Sequence, residues 1–410
     1  MCIATSSPVK LALIGCEGYG AQLVKRLLAL PHAASLLAVT SGNPSGADAH
    51  FCKNLGIKVF TSIDDLLNFS SGLVDAIVNV TPIHVHKATS IRCLEAGFPV
   101  WVEKPPVATL AEMDELLSVS ARTGFSVDVG FNTIYSEVAQ LLKTELVAGV
   151  YGQVKMIRSL GAWIRTDSYF TRSSWAGKLN FGSSWVYDGT INNPFAHSVC
   201  NNLYFAAPNQ HELAEAATVQ ARLWHGNDID SEDTSSLRCV TKEGVVLLSH
   251  FTLCPEEEID AITVIETEKA TITLRDFHTL EVAWRDGRQE VRESKRENRL
   301  DMLEYLCGKV RNPVPALCPL SMTRPFTQLI NLAFDQVLDR NNGAIPGVPT
   351  DLLKRYPHNN STGTKILGIN SKLLRAHESA QLMELDDSDT ELISSNGVSQ
   401  QPHPKLGFWP

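Results

Sequence analysis

The chain has 410 residues, 44% of them hydrophobic and 20% charged, with a formal net charge of −9. That length suits about two to three domains, and the apolar share is enough for buried cores. The acidic balance speaks against phosphate backbones and anionic bilayers, and no run of about 18 apolar residues marks a membrane span, so neither a nucleic-acid nor a membrane partner is expected.

Val9–Ile14 is a short apolar run stopped by Gly15, which predicts a strand and lacks the shape of a secretory signal. Ala21–Leu30 has helical spacing and stops before Pro31. Ser35–Thr40 and Val74–Val80 read as strands, His86–Glu95 as a helix closed by Gly97, and Pro99–Glu103 as a strand. A helix over Leu110–Thr123 and a strand over Phe125–Val129 follow. This alternation predicts βαβ units and a parallel sheet, which binds ligands at the carboxyl ends of its strands. After residue 131 the pattern changes. A helix over Ser136–Val147 and a strand starting at Val154–Leu160 precede a stretch, 161–207, that is rich in Trp, Tyr, Asn and Gly with little periodicity. β-rich runs then recur at Thr218–Trp224, Ser236–Thr241, Val245–Phe251, Ala261–Glu266, Ala270–Leu274 and Leu280–Trp284. Short polar turns such as Lys242-Glu243-Gly244 separate them, which predicts a mostly antiparallel sheet. Helices return at Arg299–Cys307 and Ser321–Leu338, and roughly the last 30 residues, acidic and then rich in Ser, Gln and Pro, read as extended or poorly ordered.

Nine cysteines are scattered without a CxxC pair, and no His cluster has ligand spacing. They read as buried thiols in a reducing, cytoplasmic setting, with no metal site.

Four motifs carry chemistry. Gly15-Cys16-Glu17-Gly18-Tyr19-Gly20 follows a strand and opens a helix. Glycines at such a turn let backbone N–H groups approach a pyrophosphate, which then sits at a helix N-terminus. Gly15, Gly18, Tyr19 and Gly20 are therefore candidate cofactor contacts. Glu17 stands where the fingerprint has its middle glycine, and the loop works if Gly18 gives the close approach and Glu17 turns outward. The next strand ends Thr40-Ser41-Gly42-Asn43, with neither the acid that favours NAD nor a nearby Arg for NADP, so both cofactors stay open. Ser41 in place of an acid predicts a weak preference or a lean to NADP. Thr81-Pro82-Ile83-His84-Val85-His86 and Glu103-Lys104-Pro105-Pro106 both follow strands, where the ligand crevice belongs. A lysine there moves protons if its pKa is lowered; otherwise Lys104 is a solvated loop residue.

These pieces occur in order within AIVNVTPIHVHKATSIRCLEAGFPVWVEKPPVATLAEMDELL. That stretch resembles the Gfo/Idh/MocA oxidoreductases, over roughly residues 8–345 and most specifically 76–117. The resemblance implies an α/β chain: an N-terminal Rossmann domain over residues 1–130, a C-terminal α/β domain with a large, mostly antiparallel open sheet over 131–345, and an extension over 346–410. It implies that the late helices pack back on the first domain, that NAD or NADP is the cofactor, and that sugars, cyclitols or related polar molecules are substrates. A homo-oligomer through the open sheet is expected as well. It matches Lys104 to the family's catalytic lysine and Thr81, Pro82, His86 and Glu103 to its cofactor-lining positions; Ile83 departs from the family's usual Asn.

In the second domain, Asp188-Gly-Thr-Ile-Asn192-Asn193-Pro-Phe-Ala-His197 places Asn193 four residues before His197. If helical, that spacing shares a face. His197 is the candidate general acid/base and Asn193 a hydrogen-bonding partner where the family often has Asp, with Asp188 a possible replacement carboxylate. Upstream, Trp163, Arg165, Tyr169, Arg172 and Trp175, with Asn192, are candidate substrate contacts, because aromatic faces stack on sugars and Arg binds hydroxyls or carboxylates. The same residue types also build packing loops and subunit contacts. Two other readings stand beside the dehydrogenase: a non-redox lyase or glycosidase with bound NAD, and a regulatory protein that has kept the fold. Glu17, the missing strand-end acid and Asn193 favour the regulatory protein; Lys104 and His197 favour the enzyme.

Overall fold

The computed structural model of the chain describes residues 7–312 and 314–385. Its first layer runs β1 (Val9–Ile14), α1 (Tyr19–Leu28), β2 (Ala34–Thr40), α2 (Ala47–Asn54), β3 (Lys58–Phe60), α3 (Ile63–Ser70), β4 (Ala76–Asn79), α4 (Ile83–Glu95), β5 (Val100–Val102), α5 (Leu110–Thr123) and β6 (Val127–Val129). The strands are parallel, in the order β3-β2-β1-β4-β5-β6. β4, β5 and β6 are buried along their whole length, because helices cover both faces of the sheet. This burial is why they read as mainly apolar runs, broken only by the buried Asn79 and Asp128. Strand order reverses between β1 and β4, so the loops after these two strands border a crevice at the sheet's carboxyl edge. A capping box holds the start of α5, the Thr109 hydroxyl accepting from the Glu112 backbone and the Glu112 carboxylate accepting from the Thr109 backbone.

The second layer adds α6 (Glu137–Val147), β7 (Val154–Ala162), α7 (Asp167–Phe170), the small hairpin β8 (Asn180–Phe181) and β9 (Ser184–Trp185), and α8 (Ala196–Ala206). Then come β10 (Ala216–Trp224), β11 (Thr234–Thr241), β12 (Val246–Thr252), β13 (Ile259–Thr267), β14 (Ala270–Arg275), β15 (Thr279–Trp284) and β16 (Gln289–Glu293). Eight strands pair in the order β10-β11-β12-β7-β13-β14-β15-β16, and only β12 and β7 run parallel. This is the expected α/β chain with a mostly antiparallel second sheet. On one face, Asn202 of α8 bonds Ser159 at 2.7 Å.

The chain continues through α9 (Asn298–Arg311), α10 (Arg324–Arg340), β17 (Leu353–His358), β18 (Ser361–Ile366) and α11 (Ile369–Ser379). α9, with its preceding residue Glu297, and α10 reach the first layer: Arg26 of α1 pairs with Glu297 at 2.7 Å, Lys309 with Asp128 of β6 at 2.5 Å, and Arg324 with Asp114 of α5 at 2.8 Å. The Asn331 side chain accepts from the Leu110 backbone and donates to the Ala108 carbonyl. These contacts fix the second layer over the crevice.

The structure differs from the sequence expectation in three places. α2, β3 and α3 lie in 47–70, where no element was expected; each is eight residues or fewer, too short for a clear period. α8 lies inside the stretch read as aperiodic, because every residue of it except His197 is buried and no polar face marks it as a helix. Thirdly, the part of the extension up to residue 385 is folded, and residues 386–410 lie outside the described residues. Ile369, Leu373 and Ala376 of α11 join Ala162, Ile366 and Met383 in a small second core. The Met383 backbone donates to Ser236 at 2.9 Å, and Arg158 donates to the His377 carbonyl at 2.5 Å. α11 packs on the β7–β12 part of the second sheet. No helix among the described residues is long and apolar enough to cross a membrane. The eight described cysteines are buried and unpaired.

Candidate active site

The glycine loop lies between β1 and α1. Gly15 has φ +94°, and a Cβ there would come within 3.2 Å of the Val80 carbonyl. A Cβ on Gly20 would sit 1.8 Å from the Gly15 carbonyl, so this position admits no side chain. Gly18, at φ +58°, has open space above it and caps α1 without a side-chain acceptor. The first N–H groups of α1 thus face a cradle with no acid in the helix's first turn. This cradle fits a dinucleotide pyrophosphate. Tyr19 stands at the helix start, and its hydroxyl accepts from Arg299 Nε at 2.9 Å. Glu17 does turn outward: its carboxylate accepts from the Ser41 hydroxyl and, at 3.1 Å, from the Asn43 backbone.

At the end of β4, the buried Asn79 fixes the Thr81-Pro82 turn. Its Oδ1 accepts from the Thr81 hydroxyl at 2.7 Å, and its Nδ2 donates to Ser90 at 3.0 Å. His86 is 1% exposed, and its two ring nitrogens lie 2.8 and 2.5 Å from the Pro105 and Thr81 carbonyls. It therefore braces the two crevice turns and does not present a ring to a ligand. Burial pushes its pKa down to about 4, against the two carbonyls, and the neutral ring, with one N–H, donates to one of them at a time. His84, two residues earlier, packs against Phe181 and Trp175, with ring centroids 5.0 and 6.4 Å away.

Lys104 sits directly after β5. Its Nζ donates to the Asn193 carbonyl at 2.7 Å and to Asn193 Oδ1 at 2.9 Å. Asn193 Nδ2 donates in turn to Asp188 at 2.6 Å. Asp188, 3% exposed, also accepts from the Gly177 backbone at 2.7 Å and from Arg172 at 3.2 Å. A continuous polar chain therefore runs from the first sheet to the aromatic segment. Burial lowers the Lys104 pKa to about 8; Glu103 opposes this, Arg299 adds to it, Asp188 opposes it and Arg172 adds to it. Glu103 accepts from the Lys104 backbone at 3.1 Å, and its own pKa is raised by burial.

His197 lies in the first turn of α8, but Asn193 precedes that helix in a run of turns, so the two do not share a helical face as expected. The ring of His197 packs edge-on against Phe131 and Phe277. Its buried Nδ1 has no hydrogen-bond partner among the described residues. Burial, with Lys104 and then Arg299 adding positive charge nearby, holds its pKa well below the usual histidine value. The burial and positive charge that keep the imidazole neutral also make it a weaker proton acceptor than Lys104.

The aromatic segment reaches this chain through Arg172, whose guanidinium stacks on Tyr169 at 3.8 Å and over Trp175 at 5.0 Å. Arg165 lies over Trp163 and Tyr169. Trp163 stacks on Phe195, with ring centroids 4.2 Å apart. Asn192 is 1% exposed and donates to the Val186 carbonyl, so it braces the loop from inside. Sequence reasoning missed Asn79, Arg299 and Glu232. A polar residue inside the apolar VDAIVNV run was the available signal for Asn79; helix α9 shows no pattern that points to Arg299. Glu232 is fully buried and accepts from the Thr190 hydroxyl at 2.7 Å and the Ile191 backbone at 3.0 Å, which pins the turns that carry Asn193.

Residues 9–131 match the family described as "Oxidoreductase family, NAD-binding Rossmann fold", Gfo/Idh/MocA. That match covers the first domain. Among sequence relatives, glucose-6-phosphate 3-dehydrogenase of Bacillus subtilis is 27% identical over 36% of this chain and 41% of its own length. An inositol 2-dehydrogenase of Rhodococcus jostii is 29% identical over 36% of this chain and 40% of its own. The chain thus spans about two fifths of the length of these relatives. In solved structures the likeness extends into the second layer. The WlbA dehydrogenase of Bordetella pertussis, in complex with NADH and UDP-GlcNAcA, superposes with a TM-score of 0.68 at 18% identity, covering 86% of this chain and 100% of its own. The UDP-N-acetylglucosamine 3-dehydrogenase GnnA of Acidithiobacillus ferrooxidans gives a TM-score of 0.65 at 19% identity over 80% of this chain and 96% of its own. At such identities the likeness concerns the fold.

Proposed function

We propose that the chain is an NAD(P)-dependent oxidoreductase acting on a hydroxyl or ketone carbon of a sugar, cyclitol or related polar molecule. Residues 1–130 would hold the cofactor and residues 131–345 would close the substrate side. The observation that carries this reading is Lys104. It leaves the end of β5 in the cofactor domain and meets Asn193 of the second layer at 2.7 and 2.9 Å, with a pKa lowered to about 8.

When bound, the nicotinamide supplies hydride exchange. Gly15, Gly18 and Gly20, with the start of α1 at Tyr19, would hold its pyrophosphate, and Ser41, Thr81, Pro82 and Glu103 line the neighbouring turns. Were a CH–OH carbon to give up its hydride to the bound nicotinamide, the hydroxyl proton would pass to Lys104 or His197. Neutral Lys104 takes that proton at Nζ and would exchange its bond with Asn193 for one with the substrate hydroxyl. Asn193 orients Lys104 but carries no proton; Asp188 holds Asn193 and, through Arg172, sets the aromatic wall of Trp163, Arg165, Tyr169 and Trp175 for stacking on a sugar face. A soluble cytoplasmic setting suits the unpaired buried thiols. The regulatory reading has one observation in its favour: the Lys104 ammonium is already held twice by Asn193, with the carboxylate one residue removed.

Mass spectrometry of denatured purified protein, with calorimetric titration of NAD(H) and NADP(H), tests the cofactor. A bound or bindable dinucleotide supports the proposal, and no binding of any form overturns it. Given a substrate, His197→Ala separates the two proton acceptors: a loss of about 10²–10⁴ in turnover assigns His197 a direct part.

A further inference from the structure

We propose that Glu17 selects NAD over NADP, placing from the glycine loop the carboxylate that the end of β2 lacks. The proposal rests on the cofactor reading above and names the residue that decides which cofactor enters. In the parallel pair β1–β2, Ile14 stands beside Thr40, so the loop after β1 and the tip of β2 are neighbours. The Gly15 backbone ties them, donating to the Thr40 hydroxyl at 2.9 Å. Glu17 crosses this short gap. Its Oε1 accepts from the Ser41 hydroxyl and from the Asn43 backbone at 3.1 Å, and the Asn43 N–H is shared with Ser41 Oγ at 3.1 Å. The three groups form a closed set on the tip of β2. Oε2 accepts from none of the described residues and remains able to accept from ligand hydroxyls.

A dinucleotide whose pyrophosphate lies at the start of α1 sets its adenosine ribose over the tip of β2. A carboxylate there accepts hydrogen bonds from the 2′- and 3′-hydroxyls. A 2′-phosphate in the same place brings nearly two negative charges against it and has no hydroxyl to donate. The basic residue on the following stretch, Lys53, is drawn away to the Pro44 carbonyl at 2.8 Å. An absent acid at Ser41 thus does not leave the site neutral, because the acid arrives from a residue 24 positions earlier. This reverses the lean to NADP that the strand-end sequence alone predicts.

The test is calorimetric titration of NAD+ and NADP+ into the full chain and two variants, read as binding heat without any substrate. The wild type is expected to prefer NAD+ by about a hundredfold, or ~2.7 kcal/mol. Glu17→Gln keeps the side chain's shape and its bond to Ser41 but removes the charge, and should narrow that ratio to under about tenfold by tightening NADP+. The double variant Glu17→Gly with Ser41→Asp moves the acid to the strand end and should restore the preference. A wild-type ratio near one, or an equal loss of both cofactors in Glu17→Gln with an unchanged melting temperature, would overturn the proposal while leaving the cofactor reading intact. If the wild type binds neither dinucleotide, the cofactor reading fails and this proposal with it.

Discussion

Glu232 should contribute stability that is lost as pH rises. Its carboxyl is fully buried beneath the turns that lead to Asn193, and burial raises its pKa from 4.5 to about 8. The hydrogen bonds from Thr190 and Ile191 only partly offset this, and Asp233 adds to it. In the unfolded chain the group ionises near pH 4.5, whereas the folded chain keeps its proton to about pH 8. Between these limits the folded state binds more protons, so the group's contribution is full below about pH 4.5 and is lost as pH rises through about 8. A shift of this size corresponds to a loss on the order of 5 kcal/mol across that window, at about 1.4 kcal/mol for each pH step. Glu232→Gln removes the titration and preserves the geometry. The amide oxygen accepts from Ile191, the amide nitrogen donates to the Thr190 hydroxyl, and that hydroxyl turns its proton to Ser235, 2.6 Å away. Urea unfolding from pH 5 to pH 9 should show the wild type losing stability relative to Glu232→Gln, with the variant ahead by a few kcal/mol at the alkaline end. Parallel curves for the two proteins would refute the reasoning, as would a variant that loses ground with rising pH.

Further expectations follow from the same geometry. Lys104→Met should lower turnover by about 10²–10⁴ with cofactor affinity retained, and wild-type alcohol oxidation should speed up as pH rises through about 8, a limb the variant loses; pH–rate profiles of both check this. Gly20→Ala should abolish dinucleotide binding and lower stability by roughly 1–3 kcal/mol, since its Cβ meets the Gly15 carbonyl; calorimetry and thermal melting measure the two effects. Leu373→Asp should lift α11 from the second sheet and expose its apolar face, giving self-association in light scattering that the wild type does not show through this surface.

The sequence discloses most of the first layer because its strands are buried on both faces and its helices are amphipathic. α1, with Leu23, Val24 and Leu27 buried and Gln22, Lys25 and Arg26 partly or fully exposed, is the clearest case. Buried elements are harder to read in the second layer: α8 carries Asn201 and Asn202 into the core, where they bond Thr133 and Ser159, and so shows no apolar stripe. The site divides in the same way. Lys104 and Thr81 belong to short local motifs, and the structure sets both at the ends of neighbouring strands. What Glu17 does depends on a gap between two loops, and what Asn192 and His86 do depends on which way each ring or amide points. Those facts are tertiary, and sequence spacing alone does not settle them.

The measurement that bears most directly on the central claim is cofactor reduction by the wild type and Lys104→Met, each given NAD+ and a panel of sugars, cyclitols and sugar acids. The account predicts NADH from at least one substrate with the wild type, and on the order of 10²–10⁴ times less with Lys104→Met at equal cofactor occupancy. Tight dinucleotide binding with no NADH from any member of the panel, or equal rates for the two proteins, would contradict it.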